Sequence, residues 1–159
     1  MKKLSVCILF GGISPEYEVS LRSAESVLNN IDQNKYNVFP VGITRDGDWI
    51  LYGGKDYSKL PDGSWRDEPS NRRAAISPIR GQGLLCFEGD CVVRELVDVV
   101  FPVLHGENGE DGAMQGLLQM AGIYTLGKTY DDFVSDPANA ALESWQMQGN
   151  YTNRGREWE

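Results

Sequence analysis

The stretch that decides the fold is LSVCILFGGISPEYEVSLRSAESVLNNI, residues 4–31. It opens with a short, nearly continuous apolar run that ends at two glycines, which is typical of a strand buried on both faces. Apolar residues then recur at helical spacing, separated by polar ones, at Leu21, Ala24, Val27, Leu28 and Ile31. The pattern predicts a buried strand, a charged loop and an amphipathic helix.

A second strand, KYNVFPVGIT at residues 35–44, follows the helix and completes a βαβ unit. Such units are right-handed and pair their strands in parallel. Because Pro40 has no amide hydrogen to donate, we expect an edge position or a strand end there. The same pattern returns as a strand (VDVVFPVL, 97–104), a helix (GAMQGLLQMAG, 112–122) and a last strand (IYTLG, 123–127).

The middle of the chain has a different pattern. DGDWILYGG (46–54) and GQGLLCFEGDCVVREL (81–96) predict short antiparallel ribbons that turn at Asp-Gly and Gly-Asp steps. Residues 59–83 hold three of the seven prolines and little periodicity, so a loop insertion is expected there. The predicted fold class is therefore α/β, with a mainly parallel sheet and an antiparallel ribbon insertion.

Size and charge limit the possible functions. The 159 residues allow one domain with a full core, and the net charge of −8 argues against a nucleic-acid surface. No apolar run reaches the roughly 18 residues of a membrane span, so no membrane partner is expected. The start, MKKLSVCILFGG, lacks the small-residue cleavage site of a secretory leader and is predicted to be the first strand.

The three cysteines, Cys7, Cys86 and Cys91, are odd in number and lack the spacing of metal ligands. Reduced cysteines in a protein core are the favoured interpretation. The alternative places Cys86 and Cys91 opposite each other across a hairpin.

Two loops stand out, GGISPEYEVS after the first strand and HGENGEDG after the strand at 97–104. In a parallel sheet, the loops that leave the carboxyl ends of strands form the ligand site. Both loops lead into a helix start, where free N–H groups attract negative charge, and both carry carboxylates that can hold an ammonium group. A site with both signs of charge suits a zwitterion such as an amino acid.

A simpler interpretation assigns these features to local structure. Gly11 and Gly12 would form a tight turn, and His105, the only histidine of the chain, would be a structural hydrogen-bond donor. The acids of both loops would then only stabilise the helix starts; they are Glu16, Glu18, Glu110 and Asp111.

Two stretches resemble signatures of the D-alanine–D-alanine ligase family. FGGISPEYEVSLRSA (10–24) is similar to the amino-terminal signature, and VFPVLHGENGEDGAMQGLLQMAGI (100–123) is similar to the second one, in the same order. The resemblance covers residues 3–123. YNVFPVGITRDGDWILY (36–52) is closer to the ligases of vancomycin-type resistance, some of which make D-alanyl-D-serine.

The resemblance implies a three-layer, Rossmann-like domain of the kind that precedes an ATP-grasp domain. It also implies a cytoplasmic enzyme of peptidoglycan synthesis, which joins two D-alanines with ATP and Mg²⁺ through a D-alanyl phosphate. A homodimer that pairs through this domain is expected.

The resemblance also assigns residues. The carboxylate of Glu16 is expected to meet the ammonium of the first D-alanine, with Val19 near its methyl group. His105 is expected near the second substrate and the transferred phosphate. Glu16 and His105 are thus the predicted catalytic residues, and no metal ligand is predicted. The predicted substrate-binding set is Glu16, Val19, Ser20, His105 and Gly106.

The predicted domain boundary lies at residue 123. Residues 1–123 match the amino-terminal domain, whereas residues 124–159 diverge from the family, and a shifted reading frame is one hypothesis for this tail. The ATP-grasp part is absent from the sequence, so the chain alone is expected to be inactive. The alternatives are a binding or dimerisation domain without chemistry, a fragment of a D-Ala–D-Ser ligase, and another ATP-grasp ligase.

Overall fold

The computed structural model describes residues 3–109 and 112–125 of the chain. The helices are α1 (Tyr17–Asn30), α2 (Lys59–Asp62) and α3 (Ala113–Ala121), with a 3₁₀ helix at Ser64–Asp67. The strands are β1 (Leu4–Gly11), β2 (Tyr36–Ile43), β3 (Trp49–Leu51), β4 (Arg72–Ile76), β5 (Leu84–Glu88), β6 (Cys91–Glu95), β7 (Val99–Pro102) and β8 (Tyr124–Thr125).

All of these strands belong to one mixed sheet, in the order β6-β5-β4-β3-β2-β1-β7-β8. The α/β class and the parallel β1-α1-β2 unit are confirmed. The prediction of a mainly parallel sheet is wrong, because four of the seven pairings among the described residues are antiparallel. The predicted ribbons do not form a separate insertion. Strand β3 pairs directly with β2, and β4, β5 and β6 extend the same sheet by antiparallel pairing.

Side chains of β1 alternate between two hydrophobic clusters, as the period of a strand requires. Val6, Ile8 and Phe10 pack with the buried stripe of α1, whereas Cys7 and Leu9 share a cluster with α3. All five side chains are buried. The apolar run that opens the chain is therefore covered on both faces of the sheet, as predicted.

Pro40 lies inside the sheet, between neighbours on both sides, and the prediction of an edge strand is wrong. Its carbonyl accepts a 2.8 Å hydrogen bond from the amide of Tyr52, so its ring nitrogen also faces β3. Because that nitrogen carries no hydrogen, it cannot donate a hydrogen bond to β3. The β2–β3 ladder ends at this pair, one residue beyond Leu51.

Residues 59–83 are not a loop insertion, and that prediction is wrong. They form α2, the 3₁₀ helix and β4, and they bury Trp65 completely beneath the sheet. The indole contacts the ring of Phe10 edge to face, with the ring centres 5.1 Å apart. It also fills the space in which a side chain at Gly42 would lie. Elements of four residues are too short to show a period in the sequence.

The cysteines are free, and two of the three are buried. Cys7 and Cys86 lie in the core as predicted, and burial raises the pKa of both thiols. Cys91 is exposed, because it begins strand β6 at the rim of the sheet, so the core prediction is wrong for this residue. Its partner across the β5–β6 hairpin is Glu88, which also excludes the Cys86–Cys91 facing pair.

The predicted tail falls almost entirely on residues 126–159, which lie outside the described residues, and so does the reading-frame hypothesis. Within the part that is described, no helix has the length and apolar character needed to cross a bilayer.

Candidate functional site

Strands β1 and β7 are parallel neighbours, so their carboxyl ends meet at one edge of the sheet. The loop that leaves β1 leads into α1, and the loop that leaves β7 leads into α3. The amide of Val103 donates a 2.7 Å hydrogen bond to the carbonyl of Leu9, which fixes the two loop origins side by side. The prediction that both loops lie at one sheet edge is confirmed.

Glu16 is the N-cap residue of α1, but its side chain makes no capping hydrogen bond. Its carboxylate lies instead beside Gly106 of the other loop, since a Cβ built at Gly106 would come 2.8 Å from Glu16 Oε2. The neighbouring acid Glu18 takes a different direction, and its carboxylate is 3.3 Å from the guanidinium of the exposed Arg45. Only Glu16 of these two acids reaches the second loop.

Gly106 is confined by this arrangement. Its φ of +74° lies in the left-handed region that favours glycine. A Cβ at this position would also come 2.9 Å from the hydroxyl of Ser14. The close approach of the two loops therefore requires glycine here.

His105 precedes Gly106 and is half-buried. Its backbone carbonyl accepts a 2.9 Å hydrogen bond from the hydroxyl of Ser14. Its ring Nε2 lies 3.4 Å from the hydroxyl of Ser23 on α1, a long separation for a hydrogen bond. The ring thus lies against the helix that begins at Glu16, at the carboxyl edge of the sheet.

The other two predicted binding residues differ in exposure. Val19, on the first turn of α1, is 53% exposed. Ser20 has no exposed surface, and its hydroxyl accepts a 2.8 Å hydrogen bond from the amide of Gly11 and donates to the carbonyl of Val103. Ser20 thereby ties the end of β1 to the end of β7. A direct substrate contact by either residue stays a prediction.

Two serines in this region were not predicted from the sequence. Ser14 contacts both loops, and Ser23 contacts the histidine ring. A signal was available for each of them. Ser14 precedes Glu16 by two residues, the spacing of a local hydroxyl-to-amide turn. Ser23 is three residues after Ser20, on the same helical face.

Glu110 and Asp111, the predicted acids of the second loop, lie outside the described residues. Helix α3 begins after Gly112, which has a left-handed φ of +93° and makes no side-chain cap.

The described residues do not fit a metal ion. Within the described residues, 3–109 and 112–125, no group of three or more His, Cys, Asp or Glu side chains is placed to hold a metal ion. In the β1 loop, Glu18 is directed to Arg45 rather than to Glu16.

Comparison with known proteins identifies the family. The model of the D-Ala–D-Ala ligase N-terminus matches residues 5–128, which include both signature stretches. The chain belongs to this ligase family. The ligase of Thermoanaerobacter sp. (strain X514) is 45% identical over 132 residues, covering 80% of this chain. The chain spans about a third of the length of such relatives, 35% in this case.

Solved structures of D-Ala ligases share the fold. The VanG D-Ala:D-Ser ligase from Enterococcus faecalis superposes with a TM-score of 0.73 at 38% identity, over 86% of this chain and 38% of that one. The D-alanine–D-alanine ligase from Coxiella burnetii gives a TM-score of 0.65 at 27% identity, over 94% of this chain and 42% of that one. The resemblance drawn from the two signatures is confirmed.

Proposed function

We propose that the chain provides the amino-terminal substrate-binding domain of a D-alanine–D-alanine ligase. The full enzyme would join two D-alanines with ATP and Mg²⁺ to make a peptidoglycan precursor in the cytoplasm. The observation that carries the proposal is the meeting of the Glu16 carboxylate with the His105–Gly106 segment at the carboxyl edge of the sheet.

In this proposal Glu16 binds the ammonium group of the first D-alanine. The carboxylate is exposed and makes no capping bond, so it is available for a charge-assisted hydrogen bond. The start of α1 adds free N–H groups and the positive end of a helix dipole beside it. These two features suit the opposite charges of one amino acid.

We assign His105 to the second substrate and the transferred phosphate, Gly106 to the substrate-facing loop, and Val19 to the methyl group of the first D-alanine. Val19 is an exposed residue on the first turn of α1, three residues after Glu16 and so on the same side of the helix start. Ser20 would act from beneath, by holding the two strand ends together.

The rest of the ligase would supply the nucleotide chemistry. In the family that part has the ATP-grasp fold and holds ATP and Mg²⁺. We assign residues 1–123 to a three-layer amino-terminal domain and residues 124–159 to a divergent tail, whose first two residues form β8 and extend the sheet of that domain. Accordingly, we expect the 159-residue chain alone to form no dipeptide.

Self-association of this domain is part of the proposal. The outer hairpin β5–β6 carries apolar side chains that are largely exposed, among them Phe87 (42%) and Val92 (55%), and β6 is the last strand at its end of the sheet. Such a surface favours pairing with a second copy. Sedimentation of the chain as a monomer at high concentration would contradict this part.

The test of function uses a hybrid ligase, with residues 1–125 joined to the remaining part of the Thermoanaerobacter relative. Glu16→Gln removes a charge-assisted hydrogen bond worth roughly 1.5–3 kcal/mol. The KM for the first D-alanine should therefore rise roughly 10- to 100-fold. The KM for ATP should change little.

Glu18→Gln is the matched control, because its carboxylate is two residues away and pairs with Arg45. It should leave both KM values near those of the unmodified hybrid. If Glu16→Gln and Glu18→Gln have equal, small effects, Glu16 only stabilises the helix start.

His105→Gln separates the catalytic role from the structural one. If the ring serves the transferred phosphate, turnover should fall while the melting temperature stays the same. A lower melting temperature with normal turnover per folded molecule would assign the ring to loop structure alone.

A D-Ala–D-Ser ligase is the second candidate, and the similarity to the VanG enzyme favours it. The hybrid takes its second-substrate pocket largely from the relative, so it cannot decide this point. Assays of the intact ligase that we propose for this domain, with D-alanine, D-serine and D-lactate as second substrates, would decide it.

A further inference from the structure

The hydroxyl of Ser14 is hydrogen-bonded to the backbone of both predicted catalytic residues, Glu16 and His105. It donates a 2.9 Å hydrogen bond to the carbonyl of His105 and accepts a 3.1 Å hydrogen bond from the amide of Glu16. His105 is 91 positions away in the sequence, so this one side chain joins two loops that approach each other only in the folded chain.

We propose that Ser14 is the positioning residue of the candidate site, which sets the distance between the Glu16 carboxylate and the His105–Gly106 segment. The proposal rests on the function proposed above. Ser14 itself is buried, so it acts through its two neighbours and has no direct contact with substrate.

The surroundings of Ser14 leave it little freedom. Its carbonyl accepts a 3.1 Å hydrogen bond from the amide of Tyr17, so the residue belongs to the turn that starts α1. Its hydroxyl is also one of the two atoms that exclude a Cβ at Gly106. The serine is therefore held on the α1 side by its backbone and on the β7 side by its hydroxyl.

Other residues hold the loop origins but do not set this distance. Ser20 ties Gly11 to Val103, both of which precede the site in their loops. If Ser14 lost its hydroxyl, these deeper bonds would remain, and the fold should persist. The carboxylate of Glu16 would then no longer be held against Gly106.

The first test uses the 159-residue chain and nuclear magnetic resonance. His105 is the only histidine, so its ring signals can be assigned without further variants. In Ser14→Ala, the amide of Glu16 should exchange with solvent at least about tenfold faster, since it loses its bond to the hydroxyl. The ring signals of His105 should shift, and Ser14→Thr, which keeps a hydroxyl, should restore both readouts.

Ser26→Ala is the matched control. Ser26 lies on α1, where its backbone carbonyl accepts a hydrogen bond from the Asn30 side chain, and within the described residues its hydroxyl contacts neither Glu16 nor His105. It should leave the exchange of Glu16 and the signals of His105 unchanged. If folded Ser14→Ala gives the same exchange rate and ring signals as the wild type, the proposal is wrong, whatever the chain's activity.

The second test measures kinetics in the hybrid ligase. Ser14→Ala should raise the KM for the first D-alanine about tenfold, because Glu16 is no longer held in place by the Ser14 hydroxyl and a hydrogen bond to the substrate is weakened. The KM for ATP should change less than about twofold. Ser14→Thr should recover most of the loss. An active hybrid in which Ser14→Ala leaves the KM for D-alanine unchanged would overturn the proposal and leave the proposed function intact. If the unmodified hybrid is inactive, the result counts against the proposed function alone. The nuclear magnetic resonance test would still decide the role of Ser14.

Discussion

The two halves of the sheet differ in how completely they are covered. In the parallel half, β1 and β7 are buried along nearly their whole length, with helices packed on them. In the antiparallel half, β5 buries Leu84 and Cys86 on one face, whereas Phe87 and most of β6 are exposed. The candidate site lies on the parallel half, where a fully packed scaffold can hold loop residues in place.

A cavity of about 330 Å³ lies at the boundary of the antiparallel half, where Trp49, Arg73, Phe87 and Leu117 are among the lining residues. None of its lining residues belongs to the Glu16 or His105 loop. The candidate site therefore depends on the ends of strands that are covered on both faces of the sheet.

The largest expected difference is between two phenylalanines. Phe101 in β7 is fully buried, so Phe101→Ala should lower the free energy of unfolding by about 3–5 kcal/mol. Phe87 in β5 is 42% exposed, and Phe87→Ala should cost less than about 1 kcal/mol. Urea unfolding of both variants measures the two values. Similar losses would mean that the antiparallel half is packed as tightly as the parallel one.

The three free cysteines report on the same contrast through their rates of alkylation. Cys91 is exposed and should react about a hundred-fold faster than Cys86, because an opening free energy near 3 kcal/mol reduces the exposed fraction by two decades. Burial also raises the pKa of the Cys86 and Cys7 thiols, which keeps the reactive thiolate scarce.

Cys7 should react last, because its strand β1 lies between β2 and β7 and becomes exposed only when the parallel half unfolds. Mass spectrometry of partly alkylated chain gives the order, and Cys91→Ser should remove the fast phase alone. If Cys7 reacts before Cys86, the parallel half is the less stable one.

Two glycines offer a smaller, matched comparison. Gly11, at the end of β1, has a φ of +86°, and an added Cβ would collide with the carbonyl of Ile43. Gly11→Ala should therefore cost at least about 2 kcal/mol. Gly89, in the β5–β6 turn, has a φ of +59° and open space around it, so Gly89→Ala should cost only the backbone strain, about 1 kcal/mol. Thermal unfolding of the two variants provides the test, and equal costs would show that the collision at Gly11 is relieved.

The parallel half could be predicted from the sequence because its information is local. The apolar run of β1, the helical spacing in α1 and the general rule for parallel sheets together place two loops at one edge. Only the resemblance to the family signatures singles out Glu16 and His105 among the polar residues of those loops. The signature stretches then indicate what those loops do in the family.

The antiparallel half and the inner contacts of the site could not be predicted in the same way. Short elements such as α2 show no period, and Trp65 is in the core only because Gly42 leaves space for its ring. That β3 continues the ladder of β2 depends on tertiary pairing. The bonds of Ser14 and Ser23 likewise depend on the approach of segments more than 80 residues apart.

The smallest expected effect concerns acid, and it lies where α2 meets the 3₁₀ helix that carries Trp65. Asp62 accepts hydrogen bonds from the amide and the hydroxyl of Ser64, and these bonds lower the pKa of the carboxyl group. A carboxyl whose pKa is lowered by folding stabilises the folded state above its unfolded pKa. That contribution is lost as the pH falls through the folded value, so the loss should appear only below about pH 3.9.

Asp62→Asn should remove this part of the acid sensitivity, since the amide does not titrate. The unfolding midpoints of variant and wild type should therefore approach each other as the pH is lowered from neutrality to below that value. The effect should be modest, because Asp62 is exposed to solvent. If the difference between Asp62→Asn and the wild type is the same at every pH, the Ser64 hydrogen bonds do not lower the pKa of Asp62.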